Sequence, residues 1–338
     1  MSEELHSSTH PPLPPTTEDD RISWLRLLRS RRVGPSTFYR LMAKNGSAQV
    51  ALDALPRIAR KAGAGDYTPC PTAVAKAEIA AARGAGAQML CIGEDKYPAL
   101  LAQTADAPPI LWAIGDLSVL SRPLVARVGA RYASSLGIRM AKGLAQDLAA
   151  EGFVIVSGLA RGIDTAAHAA ALEKGTIAVM AGGVDVIYPS ENKALGQGIP
   201  RAGLRLSEQP MGMVPQASHF PSRNRIISGL AQAIVVVEAA AKSGSLITAR
   251  AALDQGREVL AVPGHPFDAR ASGCNMLIRD GAALVRGSAD VIEALPARND
   301  HAPQIETAEP MLPLVAPVHD IPAPPLPTAK GPRPVSYT

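Results

Sequence analysis

Between residues 122 and 295, short apolar runs rich in valine, isoleucine and leucine alternate with stretches of helical period, and few folds accept that alternation. The runs fall at 124–128, 154–156, 176–180, 204–207, 233–237 and 259–262. Helical spacing fills 135–151, 164–174 and 245–255 between them. Strands that are apolar at nearly every position must be covered on both faces, which a parallel sheet with helical crossovers achieves. The expected class is therefore α/β, a doubly wound and mostly parallel sheet. Its ligands should gather outside the carboxyl ends of the strands.

The remaining segments are arranged around this core. Residues 1–20 hold five acids, no Lys or Arg and a proline run, the composition of a disordered lead. Residues 21–64 reverse the balance with ten cations against Asp53, a local +9 concealed by a whole-chain net charge of +4. Ile22, Leu25 and Leu28, then Phe38, Leu41 and Met42, take helical spacing on either side of residues 33–36, which predicts short helices about a Gly-Pro hairpin. That basic segment reads either as a solvated helical face or as a nucleic-acid contact, since so many like charges repel unless a polyanion is near. Residues 65–121, with a helical stretch at 73–85 and a strand at 88–92, form a connecting layer. Eleven prolines and one glycine in 296–338 predict a flexible tail without a fold.

Several function classes lose support. Cys70, Cys91 and Cys274 are far apart and make no CxxC or Cys/His pair, so neither a disulfide framework nor a zinc site is expected. Neither a basic, apolar leader nor a bilayer-length apolar run is present, so the expected compartment is the cytoplasm, away from the membrane. GxGxxG is missing after the first strand and GxxxxGK[ST] is missing throughout, so no NAD or P-loop chemistry, and no cofactor, is expected. HExxH and GxSxG are also absent. His168, four residues after Asp164, reads as its helical pair.

Three strand-to-helix turns instead suit an anion. Gly129 to Arg131 follows the first core strand, Ser157 to Asp164 the second, and Lys242 to Thr248 the fifth. Glycine admits a close approach to backbone N–H groups, and the helix start behind it adds donors and partial positive charge. Arg131 and Arg161 add guanidinium forks, and Lys242, Ser243, Gly244 and Ser245 complete the third loop. Asp164 reads as a helix N-cap or as an acid. The densest polar cluster is FPSRNRII at 220–227, where Arg223, Asn224 and Arg225 follow Phe220. These supply phosphate forks, an amide and one stacking face, while pairing of the arginines with Glu208 or Glu238 stays open.

At these residues the sequence resembles the DNA-processing protein A family, also called DprA or Smf. The resemblance is carried by VGARYAS (128–134), SGLARGIDTAAH (157–168), YPSEN (188–192), SEQP (207–210), FPSRNRIISGL (220–230), EAAAKSGSLITA (238–249), VPG (262–264) and GCNMLIRDGA (273–282), about half the chain. It implies an extended Rossmann-like domain preceded by a small all-α domain of SAM-like or helix-hairpin-helix type over 21–64. It further implies a non-enzymatic protein that binds and protects single-stranded DNA, forms a homodimer and loads the RecA recombinase during natural transformation. The family's DNA pocket carries over to Arg131, Arg223, Asn224 and Arg225. Its phosphate loop carries over to Ser157, Gly158, Ala160, Arg161 and Gly162. Two departures stand out: no winged-helix pattern follows Leu295, and Arg127 stands where the family often has an apolar residue. The alternative class is a nucleotide hydrolase of phosphoribohydrolase type, disfavoured because the loop comparable to PGGxGTxxE reads SGSLITARAAL and lacks the glutamate.

Overall fold

The structure is a computed structural model that describes residues 13–63 and 65–295; the expected tail at 296–338 and most of the expected lead lie outside these. Helix α1 (Glu18–Arg29) begins within the segment expected as a lead. Thr17 accepts a hydrogen bond from the Asp20 amide and the Asp20 carboxylate accepts one from the Thr17 amide, so the acids there cap a helix rather than solvate a tail. Helices α2 (Pro35–Asn45), α3 (Ala48–Lys61) and α4 (Thr72–Gly84) complete an all-helical layer. Its buried residues Leu25, Phe38, Leu41 and Leu52 are contiguous with the core beneath one face of the sheet. Polar ties reinforce that seam: Arg29 pairs with Glu78 at 2.8 Å and donates to the Glu208 carbonyl, while Trp112 Nε1 donates to Glu78.

The nine-stranded sheet is mixed, as expected mostly parallel. In chain order its strands are β1 (Gln88–Cys91), β2 (Ile110–Gly115), β3 (Leu124–Gly129), β4 (Val154–Ser157), β5 (Thr176–Val179), β6 (Leu204–Ser207), β7 (Ala233–Val237), β8 (Glu258–Ala261) and β9 (Ala283–Leu284). Spatially they run β1-β2-β6-β5-β4-β3-β7-β8-β9. Among the described residues only β1 with β2 and β2 with β6 pair antiparallel. Helix α5 (Ala99–Ala102) precedes β2, and the crossovers are α6 (Ser135–Ala150), α7 (Ile163–Ala171), α8 (Lys193–Gly198), α9 (His219–Leu230), α10 (Gly244–Asp254) and α11 (Ser272–Arg279), with α12 (Ser288–Ala294) last.

From β3 the chain steps outward through β4, β5 and β6. It then returns along α9 to place β7 on the other side of β3. The sheet is therefore wound in two directions about the β3–β7 boundary, where connections diverge and leave a crevice at the carboxyl ends. Helices α6 and α7 cover one face over Val125, Ile155 and Val235; α9 and α10 cover the other over Ala126, Val156 and Ile234. Arg127 belongs to the first face and is fully buried there. Its Nη1 reaches the Ala141 carbonyl at 3.5 Å, Nε and Nη2 meet no acceptor among the described residues, and burial pushes its pKa down to about 9 against the pull of Asp147.

Candidate functional site

A cavity of about 480 Å³ opens at the carboxyl edge at this boundary, bounded by the turns after β3 and β7 and by α9. The first turn leaves β3 at Gly129, where a Cβ would stand 1.9 Å from the Val237 carbonyl and 2.6 Å from Ile163 Cγ1. Glycine is required because the strand end passes between β7 and α7, so its role is chain packing. Arg131 and Tyr132 then project at the mouth, and Ser134 caps α6 by accepting from the Gly137 amide. The exposed Arg131 guanidinium sits 5.4 Å over the Phe220 ring, with no ion-pair partner among the described residues. Across the cavity Lys242, Ser243, Gly244 and Ser245 line the wall at the start of α10, with Ser243 Oγ capping the helix through the Ser245 amide. An anion there would meet Arg131, Lys242 and the positive end of α10 together.

The turn after β4 behaves differently. Asp164, expected as an N-cap or an acid, lies inside the first turn of α7 and accepts from the amides of Gly158 (3.1 Å) and Ala160 (3.2 Å). Two donors read from the sequence as open to phosphate are thus held by the protein's own carboxylate. Burial raises the Asp164 pKa, with the Arg223 charge opposing. Ser157 Oγ donates to the Arg127 carbonyl and is fully buried. Gly162 takes φ +75° beside the Ala130 carbonyl, and the exposed Arg161 pairs with Glu191 at 2.6 Å. Ala160 alone of the five expected residues in this turn lines the cavity.

His168 does not pair with Asp164 as expected. Thr176 Oγ1 spends its proton on the Ile155 carbonyl, so His168 Nδ1 must be the donor to Thr176 and Nε2 the acceptor from the Leu159 amide. Burial pushes its pKa down to about 3, and the neutral ring braces the turn.

The polar cluster at 220–227 forms the first turns of α9, which places its neighbours on opposite sides. Phe220, Arg223 and Asn224 line the cavity, whereas Arg225 points away into a seam with the helical layer. Arg223 is only 5 % exposed; its Nη1 donates to the carbonyls of Gly158 and Val179, clamping two turns, and its pKa falls to about 10 through burial. A Cβ at Gly158 would stand 2.1 Å from that nitrogen, which explains the glycine. Arg225 pairs with Glu208 at 2.5 Å and donates to the Asp106 carbonyl at 2.7 Å, the pairing with Glu208 left open from sequence.

The cavity also takes Tyr132 and Arg270, which sequence reasoning had not singled out. Tyr132 stands beside Arg131 within VGARYAS, a signal that could have found it; Arg270 comes from the loop after β8 and carried none. Of the basic helical segment, Arg21 pairs with Glu94, Arg26 donates to the Cys70 carbonyl and Arg29 pairs with Glu78. Arg31, Arg32, Arg40, Lys44, Arg57, Arg60 and Lys61 are exposed. Among the described residues no cluster could hold a metal ion, and no helix is long and apolar enough to cross a membrane.

Comparison with known proteins gives consistent matches. A family model described as DNA recombination-mediator protein A matches residues 88–296, and one described as a DprA-like N-terminal HHH domain matches residues 18–81. DNA processing protein DprA of Bacillus subtilis is 45% identical over 224 residues, covering 65% of this chain and 75% of that one. Among solved structures, DNA processing protein A from Streptococcus pneumoniae superposes with a TM-score of 0.65 at 36% identity, covering 82% of this chain and 93% of that one. DNA processing protein A from Helicobacter pylori, whose structure describes a single-stranded DNA binding mode, gives 0.57 at 32% identity over 61% and 94%.

Proposed function

The chain belongs to the DNA recombination-mediator protein A family, and from that premise we propose that it binds single-stranded DNA at the carboxyl-edge cavity, without catalysis. The carrying observation is the convergence of Arg131, Lys242 and the α10 start around the Phe220 face. Cations and helix-start amides meet phosphates, the ring meets a base, and Asn224 offers an amide to a base edge or the backbone. In this reading Arg223 and the turn after β4 shape the pocket, and Arg161, half-exposed, reaches the strand only by leaving Glu191.

The strand so held is protected and passed to a recombinase of the RecA type during natural transformation, in the cytoplasm, by a homodimer. Support for a second copy comes from the exposed apolar residues Leu253 on α10, Met276 on α11 and Leu284 on β9. Support for a reducing compartment comes from Cys70, Cys91 and Cys274, all buried and unpaired. The exposed cations of α2 and α3 extend the attraction to a polyanion.

The test is fluorescence anisotropy of a labelled oligo-dT at several salt concentrations, with duplex and mononucleotide competitors. If roughly four phosphates are neutralised, affinity falls with a log–log slope of about −3. Binding that a mononucleotide displaces and a duplex matches would overturn the reading. A second reading, a hydrolase of phosphoribohydrolase type, rests on the buried Asp164 carboxylate at the cavity wall. It requires release of free base from a nucleoside monophosphate, abolished in Asp164→Asn; absence of turnover removes it.

A further inference from the structure

Aromatic side chains are scarce, at 4% of the chain, and most of those described are buried or half-buried. Among the described residues only Tyr132, Tyr188 and Phe267 are exposed, at 82%, 50% and 95%. All three stand in turns that leave carboxyl ends of the sheet, after β3, β5 and β8 respectively. Three such rings left in water at one edge, and none at the opposite edge, is not the scatter expected of incidental surface hydrophobes.

Their surroundings fit unpaired nucleotides. Tyr188 lies 6.0 Å from Phe220 in a tilted pair, and the Arg131 guanidinium covers that same Phe220 ring. Phe267 lies 5.5 Å from His265 in a tilted pair, three residues before Arg270, a cavity residue whose charge is shared with Asp268. Tyr132, on the turn after β3, stands at the cavity mouth. In the sheet order β5-β4-β3-β7-β8, the strands whose turns carry Tyr188 and Phe267 stand four strand spacings apart, roughly 19 Å. At the 3.4 Å rise of a stacked strand that distance takes roughly five nucleotides.

We infer that the proposed DNA site continues beyond the cavity as an aromatic track from Tyr188 through Tyr132 to Phe267, on which successive unpaired bases stack while Arg131, Lys242 and Arg270 follow the phosphates. The inference rests on the single-stranded DNA reading and adds to it a direction across the sheet edge and a site length. Because stacking accepts any base, the track is tolerant of sequence but selects single strands over duplex.

Two measurements test it, each on the full chain. Oligo-dT probes of roughly three and roughly twelve nucleotides are titrated against wild type, Arg131→Ala, Tyr132→Ala and Phe267→Ala, with thermal melts run alongside because the exposed rings should not affect folding. Loss of Phe267 should weaken the longer probe by about fivefold or more and leave the shorter one unchanged, since one stacked base is lost. Photocrosslinking with 5-iodouracil at single positions, mapped by mass spectrometry, should join Tyr188 and Phe267 to positions roughly five nucleotides apart. Wild-type affinity of both Tyr132→Ala and Phe267→Ala for the longer probe, equal weakening of both probes, or crosslinks confined to Phe220 and Tyr188 would overturn the track. If Arg131→Ala still abolishes binding in those cases, the DNA reading survives. Failure of the wild type to bind either probe removes both.

Discussion

The turn after β4 and the turns after β3 and β7 look alike in sequence, each small, glycine-rich and followed by a helix, yet they use their polar groups in opposite ways. In the first, Asp164 takes two amides, His168 a third, and Arg223 a carbonyl, all of them buried. In the other two, Arg131 and Lys242 keep their charges exposed at the cavity mouth. A buried donor must be satisfied inside the fold, whereas a donor on an open wall can wait for a ligand. A motif's polar residues therefore divide into those that build the pocket and those that face what enters it.

Substitution on either side of that division should separate stability from binding. The largest effect is expected at Arg225: Arg225→Met leaves Glu208 buried without its partner and should cost about 3–5 kcal/mol in urea unfolding. Its affinity for oligo-dT, measured where it remains folded, should stay within about twofold of wild type, because the seam lies outside the cavity. Loss of binding with full stability would erase the distinction. Arg131→Ala should do the reverse. Its oligo-dT affinity falls by about 1.5–3 kcal/mol and the salt slope shallows by about 0.7, while stability stays within about 0.5 kcal/mol.

Arg127 asks whether burial alone implies a structural task. Its Nε and Nη2 have no acceptor among the described residues, so Arg127→Leu should stabilise the fold by about 1–2 kcal/mol and leave DNA binding unchanged; a destabilised variant would mean the guanidinium has a partner in solution. The smallest effect is expected at His168 near neutral pH. Its folded pKa is about 3 against about 6.5 unfolded, so the unfolded chain takes up a proton that the native state refuses. The stability this histidine contributes is complete above pH 6.5 and is lost as pH falls towards 3. The Tm of wild type should therefore drop more steeply than that of His168→Gln between about pH 6.5 and 4; parallel curves would count against the neutral, buried ring.

Much of the architecture was legible because it follows from short-range pattern. The six core strands fall within a residue or so of their apolar runs, since a fully covered strand must be apolar at every position. β2 escaped notice although ILWAIG is as apolar as the rest, because neighbouring prolines obscured it and its partner β6 lies far away in sequence. The two-residue β9 has too few positions to show a period. The polar cluster at 220–227 was plain, but the helix that carries it was not, and helical rotation sends Arg223 and Arg225 to different surroundings.

Local sequence by itself determined the α/β class, the basic helical layer and the small polar turns that end the strands, because periodicity, charge and glycine placement act over a few residues. Only the tertiary structure decided which of those turns stays open. The reversal of strand order at β3 and β7 brings the Arg131 turn opposite the α10 start, and the packing of α7 and α9 folds Asp164, His168 and Arg223 inward. Whether a guanidinium meets a ligand or a carbonyl is set by which distant segment lies against it, and chain topology fixes that pairing.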